Sequence, residues 1–320
     1  MNNYKISIII PVYNVEPYVE ACLQSVANQT MTDGVECIIV DDCGNDNSMK
    51  VVEQFIKNYD GSIHFHVINH ENNKGLSAAR NTAIKAAQGE YIYFLDSDDT
   101  ITEKCMETMY SYVLRYGKVD LVQGFLCERN NTLLSKTSYK MPLHTTEQRI
   151  IKKFLLTYAG DIIPAQARLI KLDFLLNHNL FFREGIIHED NYWCFFLAKY
   201  TTSMCFCNER NYYHRYNPSS ITGNLNRKKE AIAFRTIVKE LCANIDPFLP
   251  GIQKEYILNN LLTALNGEFY HSEKGKNELV EYVSKTYSFI ERLLFHLYLK
   301  TNHSYVKTKI LHLLIRTFKL

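Results

Sequence analysis

Tyr91-Ile92-Tyr93-Phe94-Leu95-Asp96-Ser97-Asp98-Asp99 passes from five bulky apolar or aromatic side chains to three carboxylates within nine residues. The first part has the character of a buried strand. Carboxylates gathered at the end of such a strand carry a large electrostatic penalty unless a cation or hydrogen-bond donors compensate. Oxygen ligands suit Mg2+ or Mn2+, ions commonly held by one or two carboxylates together with substrate phosphates. The cluster therefore predicts a diphosphate partner. The structural alternative is that Asp98 or Asp99 caps a following helix.

Outward from this segment, the first 125 residues alternate strand and helix patterns in the manner of a βαβ fold. Ser7–Val12 is a buried β-branched run, and Glu16–Gln29 sets Val19, Cys22, Leu23 and Val26 on one helical face. Glu36–Val40 returns as a strand ending in Asp41-Asp42, and Ser48 is expected to cap a helix with Val51, Val52, Phe55 and Ile56 inward. Ile63–Ile68, Tyr91–Leu95 and Val119–Phe125 read as further strands, Leu76–Ala87 as a helix, and Thr102 as the start of another. Open α/β sheets bind ligands at the carboxyl ends of their strands. Tyr13-Asn14, Asp41-Asp42 and Asp96–Asp99 all fall at such ends. Each alone could be a turn or a cap; three on one rim predict a site.

The composition sets outer limits. The chain has 320 residues, 46% hydrophobic and 22% charged, with a formal net charge of +2. That balance excludes a general nucleic-acid-binding surface, which needs a strong basic excess. The 22 Tyr and 17 Phe are expected in core and strand packing. Nine cysteines without a paired framework, and no secretory signal, read as reduced and cytosolic. The apolar run Ile6–Val12 is too short to span a bilayer.

No GxxxxGK[ST] loop and no GxGxxG follows the first strand, so a P-loop NTPase and a standard dinucleotide dehydrogenase lose their main support. Ser7-Ile8-Ile9-Ile10-Pro11-Val12-Tyr13-Asn14, Val40-Asp41-Asp42, Asn73-Lys74-Gly75-Leu76-Ser77-Ala78-Ala79-Arg80-Asn81 and Phe94–Asp99, in that order and spacing, resemble the family-2 glycosyltransferases with the GT-A fold. Phe182-Arg183-Glu184-Gly185-Ile186-Ile187-His188-Glu189-Asp190 resembles the family's acceptor-side segment ending in Glu-Asp. The resemblance implies an α/β, Rossmann-like nucleotide-sugar-binding domain with a mixed central sheet, followed by a helical C-terminal region. It implies that Pro11, Tyr13 and Asp41 line a base pocket, that Asn73 and Arg80 hold the nucleotide, and that Gly75 allows a tight turn beside it. Asp96, with Ser97 beside it, would contact ribose or donor sugar, and Asp98 would ligate Mn2+ or Mg2+. Asp190 would be the catalytic base of an inverting transfer, ionised at a helix start, where a carboxylate is favoured. The alternative for Asp190 or Glu189 is a plain first-turn helix acid.

Tyr212–Thr222 resembles the strand and loop that close the catalytic domain, with His214 as a second metal or phosphate ligand and Arg215 neutralising the leaving group. One departure is that Ile163–Ile170 occupies a position where relatives often carry Lys, with Arg168 the nearest cation. Trp193, the only tryptophan, suits core packing or an acceptor sugar. Glu128–Thr146 is a polar excursion with a turn at Asn130-Asn131. The expected division is a catalytic domain over 1–224, itself a nucleotide-sugar half (1–125) and an acceptor half (126–224), and helices over 225–320.

Helices are expected at Ile290–Tyr298 and Val306–Phe318. Lys300, Lys307, Lys309, Arg316 and Lys319 accompany Leu311, Leu313, Leu314, Ile315 and Phe318 there. Such an end fits an anionic membrane surface, the catalytic domain itself, or a second subunit in a homo-oligomer. The expected donor is a nucleotide-sugar, UDP-linked, and the expected acceptor a glycan or lipid-linked glycan of bacterial surface polysaccharide assembly. The location would be cytoplasmic or peripheral on the inner face of the membrane. Rivals are a nucleotidyltransferase, which should carry a Gly-rich pyrophosphate loop, and a non-catalytic nucleotide-sugar-binding scaffold, which needs no base.

Overall fold

The computed structural model describes residues 4–128, 141–158, 165–220, 227–265, 277, 281–282, 284–301 and 304–318. The expected turn at Asn130-Asn131, Ile163-Pro164, Ile221-Thr222 and Lys319 lie outside the described residues. By its contacts the chain forms two units. The first comprises Met1–Ile151, Ala159–Gly185 and Tyr200–Pro218; the second comprises Lys152–Tyr158, Ile186–Lys199 and Ser219–Leu320.

Among the described residues the first unit holds a mixed nine-stranded sheet. Its strands are β1 (Ile6–Val12), β2 (Val35–Asp41), β3 (His64–Asn69), β4 (Tyr91–Phe94), β5 (Thr100–Ile101), β6 (Leu121–Glu128), β7 (His144–Thr145), β8 (Arg168–Lys171) and β9 (Met204–His214). Their order is β3-β2-β1-β4-β8-β6-β9-β5, with β7 also on β9. β3, β2, β1 and β4 run parallel, and β8 reverses direction against both β4 and β6. β1 is buried along its whole length because it is central and covered on both faces. Each of its isoleucines contributes about 1.5–3 kcal/mol by that burial.

The helices of this unit follow the predicted apolar faces. α1 (Val19–Ala27) buries Val19, Cys22, Leu23 and Val26, as its spacing demands. α2 (Ser48–Asn58), α3 (Leu76–Ala86) and α4 (Cys105–Tyr116) complete the βα alternation. Ser48 is the first helical residue rather than the cap: Asn47 holds the N-cap position, and Asp46 just before it accepts the Ser48 amide at 3.0 Å. Thr102 does not open α4: residues 100–101 are captured by β9, and the Thr102 amide donates to the Asn211 carbonyl at 3.0 Å. β8 and the short helix α6 (Leu172–Asn177), which follows α5 (Gln148–Lys153), were not legible as elements. β8 is four residues long with a cation at each end, and Arg168 is buried in the sheet, where its Nε donates to Gln123 at 2.8 Å.

The second unit is helical. A π-helical turn (Phe154–Tyr158), α7 (Glu189–Tyr200, to Lys199 in this unit), α8 (Arg227–Cys242), α9 (Pro250–Leu265), α10 (Phe289–Lys300) and α11 (Ser304–Thr317) are its described elements. Trp193 is 1% exposed, which places it in the core of this unit. Lys152, itself 2% exposed, is balanced by Asp246 at 2.8 Å. All nine cysteines are free thiols.

Candidate active site

The order β2-β1-β4 makes β1 the point where the sheet's strand order reverses, and the carboxyl ends of these strands face one crevice. The loops there are tied to one another before any ligand arrives. Asn14, in left-handed backbone at φ 53°, accepts the Asn45 amide at 2.8 Å. Glu16 accepts from Asn47, Asp46 accepts the Glu16 amide at 2.8 Å, and the Ser48 hydroxyl accepts the Val15 amide at 2.8 Å. Gly44 lies so close that a Cβ would meet Asn14 atoms at 2.9 Å, so this rim needs glycine. Tyr13 projects from it at 46% exposure, whereas Pro11 is buried within β1 opposite Val40. Asp41 ends β2 and accepts the Cys43 amide at 3.0 Å.

Asp42, a residue without an assigned role in the sequence, organises the third loop. It is 2% exposed and receives four donors: the Lys74 and Gly75 amides at 2.8 Å each, Asn73 Nδ2 at 3.1 Å and His70 Nδ1 at 2.7 Å. His70 Nε2 meets the Thr82 hydroxyl at 2.9 Å. The Asn73 amide nitrogen is therefore spent on Asp42. Gly75 precedes α3 at φ 88°, a backbone that side-chain-bearing residues rarely adopt.

The three carboxylates after β4 have unlike surroundings. Asp96 accepts from Arg80 Nη2 at 3.0 Å and from Gln166 Nε2. Arg80 is fully buried with its guanidinium 5.0 Å over the Phe182 ring, so it supports Asp96 from beneath the rim. Asn81 beside it bonds the Phe182 backbone in both directions and Glu184. Ser97 is 6% exposed. Asp99, 2% exposed, accepts from the Tyr212 hydroxyl at 2.7 Å, the Arg215 amide at 2.8 Å and His214 Nδ1 at 3.2 Å. The Tyr212 oxygen in turn accepts the Asp96 amide at 3.2 Å. Asp98 meets a neutral group, Asn217 Nδ2, at 2.9 Å.

The electrostatics follow from these contacts. Burial, with the charges of Asp96 and Asp99 adding, pushes the Asp98 carboxyl up to about 6; the Asn217 bond opposes it. The bond to Asp99 raises His214 above its ordinary value, against the effect of burial. With Nδ1 engaged by Asp99, Nε2 is the His214 nitrogen suited to a ligand, as in metal-binding histidines oriented by a carboxylate. The Arg215 guanidinium lies 5.6 Å from the centre of the Tyr18 ring. Among the described residues no three His, Cys, Asp or Glu groups form a metal cluster. Asp98 with His214 would therefore be a partial shell, of the kind substrate phosphates complete.

Asp190 stands in the second unit as the second residue of α7. Two helices of that unit hold the start of α7. His188, at φ 60°, stacks on Phe234 of α8 at 4.7 Å, and its Nε2 lies 3.3 Å from Glu230. Asn191 Nδ2 donates to Asn260 Oδ1 of α9 at 2.9 Å, and the Tyr256 hydroxyl donates to the Asn191 carbonyl at 2.6 Å. Gln166, Tyr212, Asn217, Asn191 and Asn260 were given no individual role from sequence, although the first three lie in segments it singled out. Each is an ordinary residue type made relevant by a distant partner, which no local pattern identifies.

Comparison with known proteins gives the family and the fold. The family described as Glycosyl transferase family 2 matches residues 7–173, just over half of the chain. A poly(ribitol-phosphate) beta-glucosyltransferase of Bacillus spizizenii is 40% identical over 138 residues, 42% of this chain and 21% of that protein. The first three curated relatives are matched over only 21% to 30% of their own lengths. Among solved structures, Staphylococcus aureus TarS 1-349 in complex with UDP-GlcNAc aligns with a TM-score of 0.70 at 20% identity, over 91% of this chain and 86% of that one. The mannosyltransferase PcManGT of Pyrobaculum calidifontis, in complex with GDP-Man and Mn2+, aligns with a TM-score of 0.58 at 15% identity, over 99% of this chain and 87% of that one. The sheet and its helices thus share the GT-A-like fold of these transferases.

Proposed function

Because the chain belongs to glycosyl transferase family 2, we propose that it transfers a sugar from a nucleotide-sugar, UDP-linked, to a hydroxyl acceptor with inversion at the anomeric carbon. The observation that carries this reading is the unequal treatment of the carboxylates after β4. Asp96 is balanced by Arg80, Asp99 is spent on Tyr212, His214 and Arg215, and Asp98 keeps a raised pKa beside a neutral amide. A buried carboxylate left in that condition suits a cation that comes with the substrate. Asp98 and His214 would hold Mn2+ or Mg2+. Such an ion supplies positive charge against the leaving diphosphate.

The protein's own groups divide the remaining work. Tyr13 and Asp41 stand on the rim to receive the base, and Asp42 fixes the Asn73–Gly75 turn beside it. Asp96, held by Arg80 and Gln166, is oriented for ribose or sugar hydroxyls. Arg215 adds a guanidinium for phosphate charge. Inversion by a single displacement needs one carboxylate to take the acceptor proton, and Asp190 on the first turn of α7 is assigned that role.

The UDP-GlcNAc of the TarS structure supports a UDP-sugar donor, and the Mn2+ of PcManGT supports a divalent ion. The name of the Bacillus spizizenii relative supports a glycan or polyol-phosphate acceptor in surface polymer assembly. The same reading puts the protein in the cytoplasm, where activated sugars are made. The test is nucleotide release from a panel of UDP-, GDP- and CDP-sugars with Mn2+. One donor class should turn over, and Asp190→Asn should lower kcat by about 10²-fold or more with donor KM little changed. Transfer retained by both Asp190→Asn and Asp98→Ala would sink the mechanism.

A further inference from the structure

The last two described helices present an apolar face that no other described residue covers. α10 packs inward through Glu291, Leu294 and Phe295. Phe289, Ile290, Leu293 and Leu297 are 73%, 60%, 50% and 44% exposed, and their spacing puts them on one arc away from the packed face. Arg292, His296 and Lys300 are exposed along the flank of that arc. On α11, Tyr305, Val306 and Leu313 are exposed together with Lys309 and Arg316, and the Lys309 ammonium lies 4.6 Å from the Tyr305 ring centre. Seven of the fifteen large apolar residues exposed among the described residues fall on these two helices. Single exposed apolar residues are ordinary, but a concentration of this kind marks an interaction surface.

Charge selects the partner. From Phe289 to the end the chain has six Lys and Arg against one acid, Glu291, a balance of +5 in a chain whose total is +2. Glu291 itself is buried and held by Lys254 at 2.9 Å, so it does not offset the outward cations. A second copy would bring this basic face against its own like. A soluble polyanion would satisfy the cations but leave Phe289, Ile290, Leu293 and Leu297 in water. A bilayer with anionic headgroups satisfies both, with the apolar arc in the acyl boundary and the cations at the phosphates. Among the described residues no helix is long and apolar enough to cross a membrane, so the face would lie along the surface.

We propose that the outward face of α10 and α11 docks on a membrane surface bearing anionic lipid headgroups. The inference does not depend on the transfer chemistry, and its readout is lipid binding. The full chain is co-sedimented with phosphatidylglycerol-containing vesicles and with pure phosphatidylcholine vesicles. Binding to the first is expected, weakened about tenfold by Lys309→Glu with Arg316→Glu, and weakened by salt. Ile290→Ser with Leu293→Ser should lower it by a similar factor at unchanged far-UV circular dichroism; should that pair misfold, the exposed charge pair alone decides. Equal affinity for both vesicles, or for neither, overturns the proposal. So does a dimer by light scattering that the Ile290→Ser, Leu293→Ser variant abolishes, since a second copy would then own the face.

Discussion

At the scale of single residues, carboxylates that look equivalent in sequence are put to different uses by what lies beside them. Asp41 and Asp42 are chain neighbours, yet one ends a strand at the open rim and the other is buried beneath four donors. Asp96, Asp98 and Asp99 separate in the same way. The strand-end positions of Asp41, Asp96 and Asp98 were legible because a strand's alternation and its end are local properties. The roles of Asp42 and Asp99 were not, since their partners lie 28 to 33 and 113 to 116 residues away. Asp98 yields a prediction at this scale. Its carboxyl is raised to about 6 by burial and by its acidic neighbours, so its charge opposes folding at neutral pH. Asp98→Asn keeps an oxygen for Asn217 and loses the charge. In EDTA it should be more stable than wild type by about 1 kcal/mol, a rise in Tm of roughly 2–4 °C. On the proposed function, Mn2+ with UDP should raise the Tm of the wild-type protein, and the same substitution should abolish that rise, measured by thermal unfolding.

At the scale of elements, the sheet does most to build the candidate donor side. β9 carries Tyr212 and His214 and places both on Asp99, more than a hundred residues earlier in the chain. β8 brings with it the segment that sends Gln166 to Asp96. Among the helices, α7 has a distinct place: its first turn carries Asp190, and α8 and α9 grip the residues on either side of that acid. These helices therefore act as the seat of the candidate base, with Asn260 a positioning residue. Asn260→Leu removes the acceptor of Asn191 Nδ2 and is expected to lower kcat about tenfold while leaving UDP affinity, measured by calorimetry, unchanged. A role confined to stability would lower Tm without that split.

At the scale of the whole molecule, chain order and spatial grouping part company. Lys152–Tyr158 and Ile186–Lys199 fold with the C-terminal helices although both precede β9 in sequence. Lys152 is the charge that marks this threading, buried in the helical unit and balanced by Asp246 ninety-four residues on. The hydrogen bond from Lys152 holds the Asp246 carboxyl below its usual range, against a smaller effect of burial. A depressed carboxylate stabilises the fold above its unfolded pKa and loses that contribution as pH falls through the folded value. Hydrogen exchange in 152–158 and 242–265 should therefore speed up as pH drops below about 4, after correction for intrinsic rates. Asp246→Asn should show the faster exchange already at neutral pH, because it strands a buried ammonium.

The sequence alone determined the α/β alternation, the apolar faces of α1 and α2, and the acidic strand ends. These follow from side-chain periodicity and from polar residues stopping strands, which any short window contains. It also determined the basic, apolar character of the last two helices. Only the tertiary structure decided which strand-end carboxylate keeps a raised pKa beside a neutral amide, that Arg80 is bound to Asp96 and Asn73 to Asp42, and that α7 is held by α8 and α9. Those outcomes depend on hydrogen bonds and burial between residues tens to more than a hundred positions apart, and a buried charge takes its state from such partners and not from its neighbours in the chain.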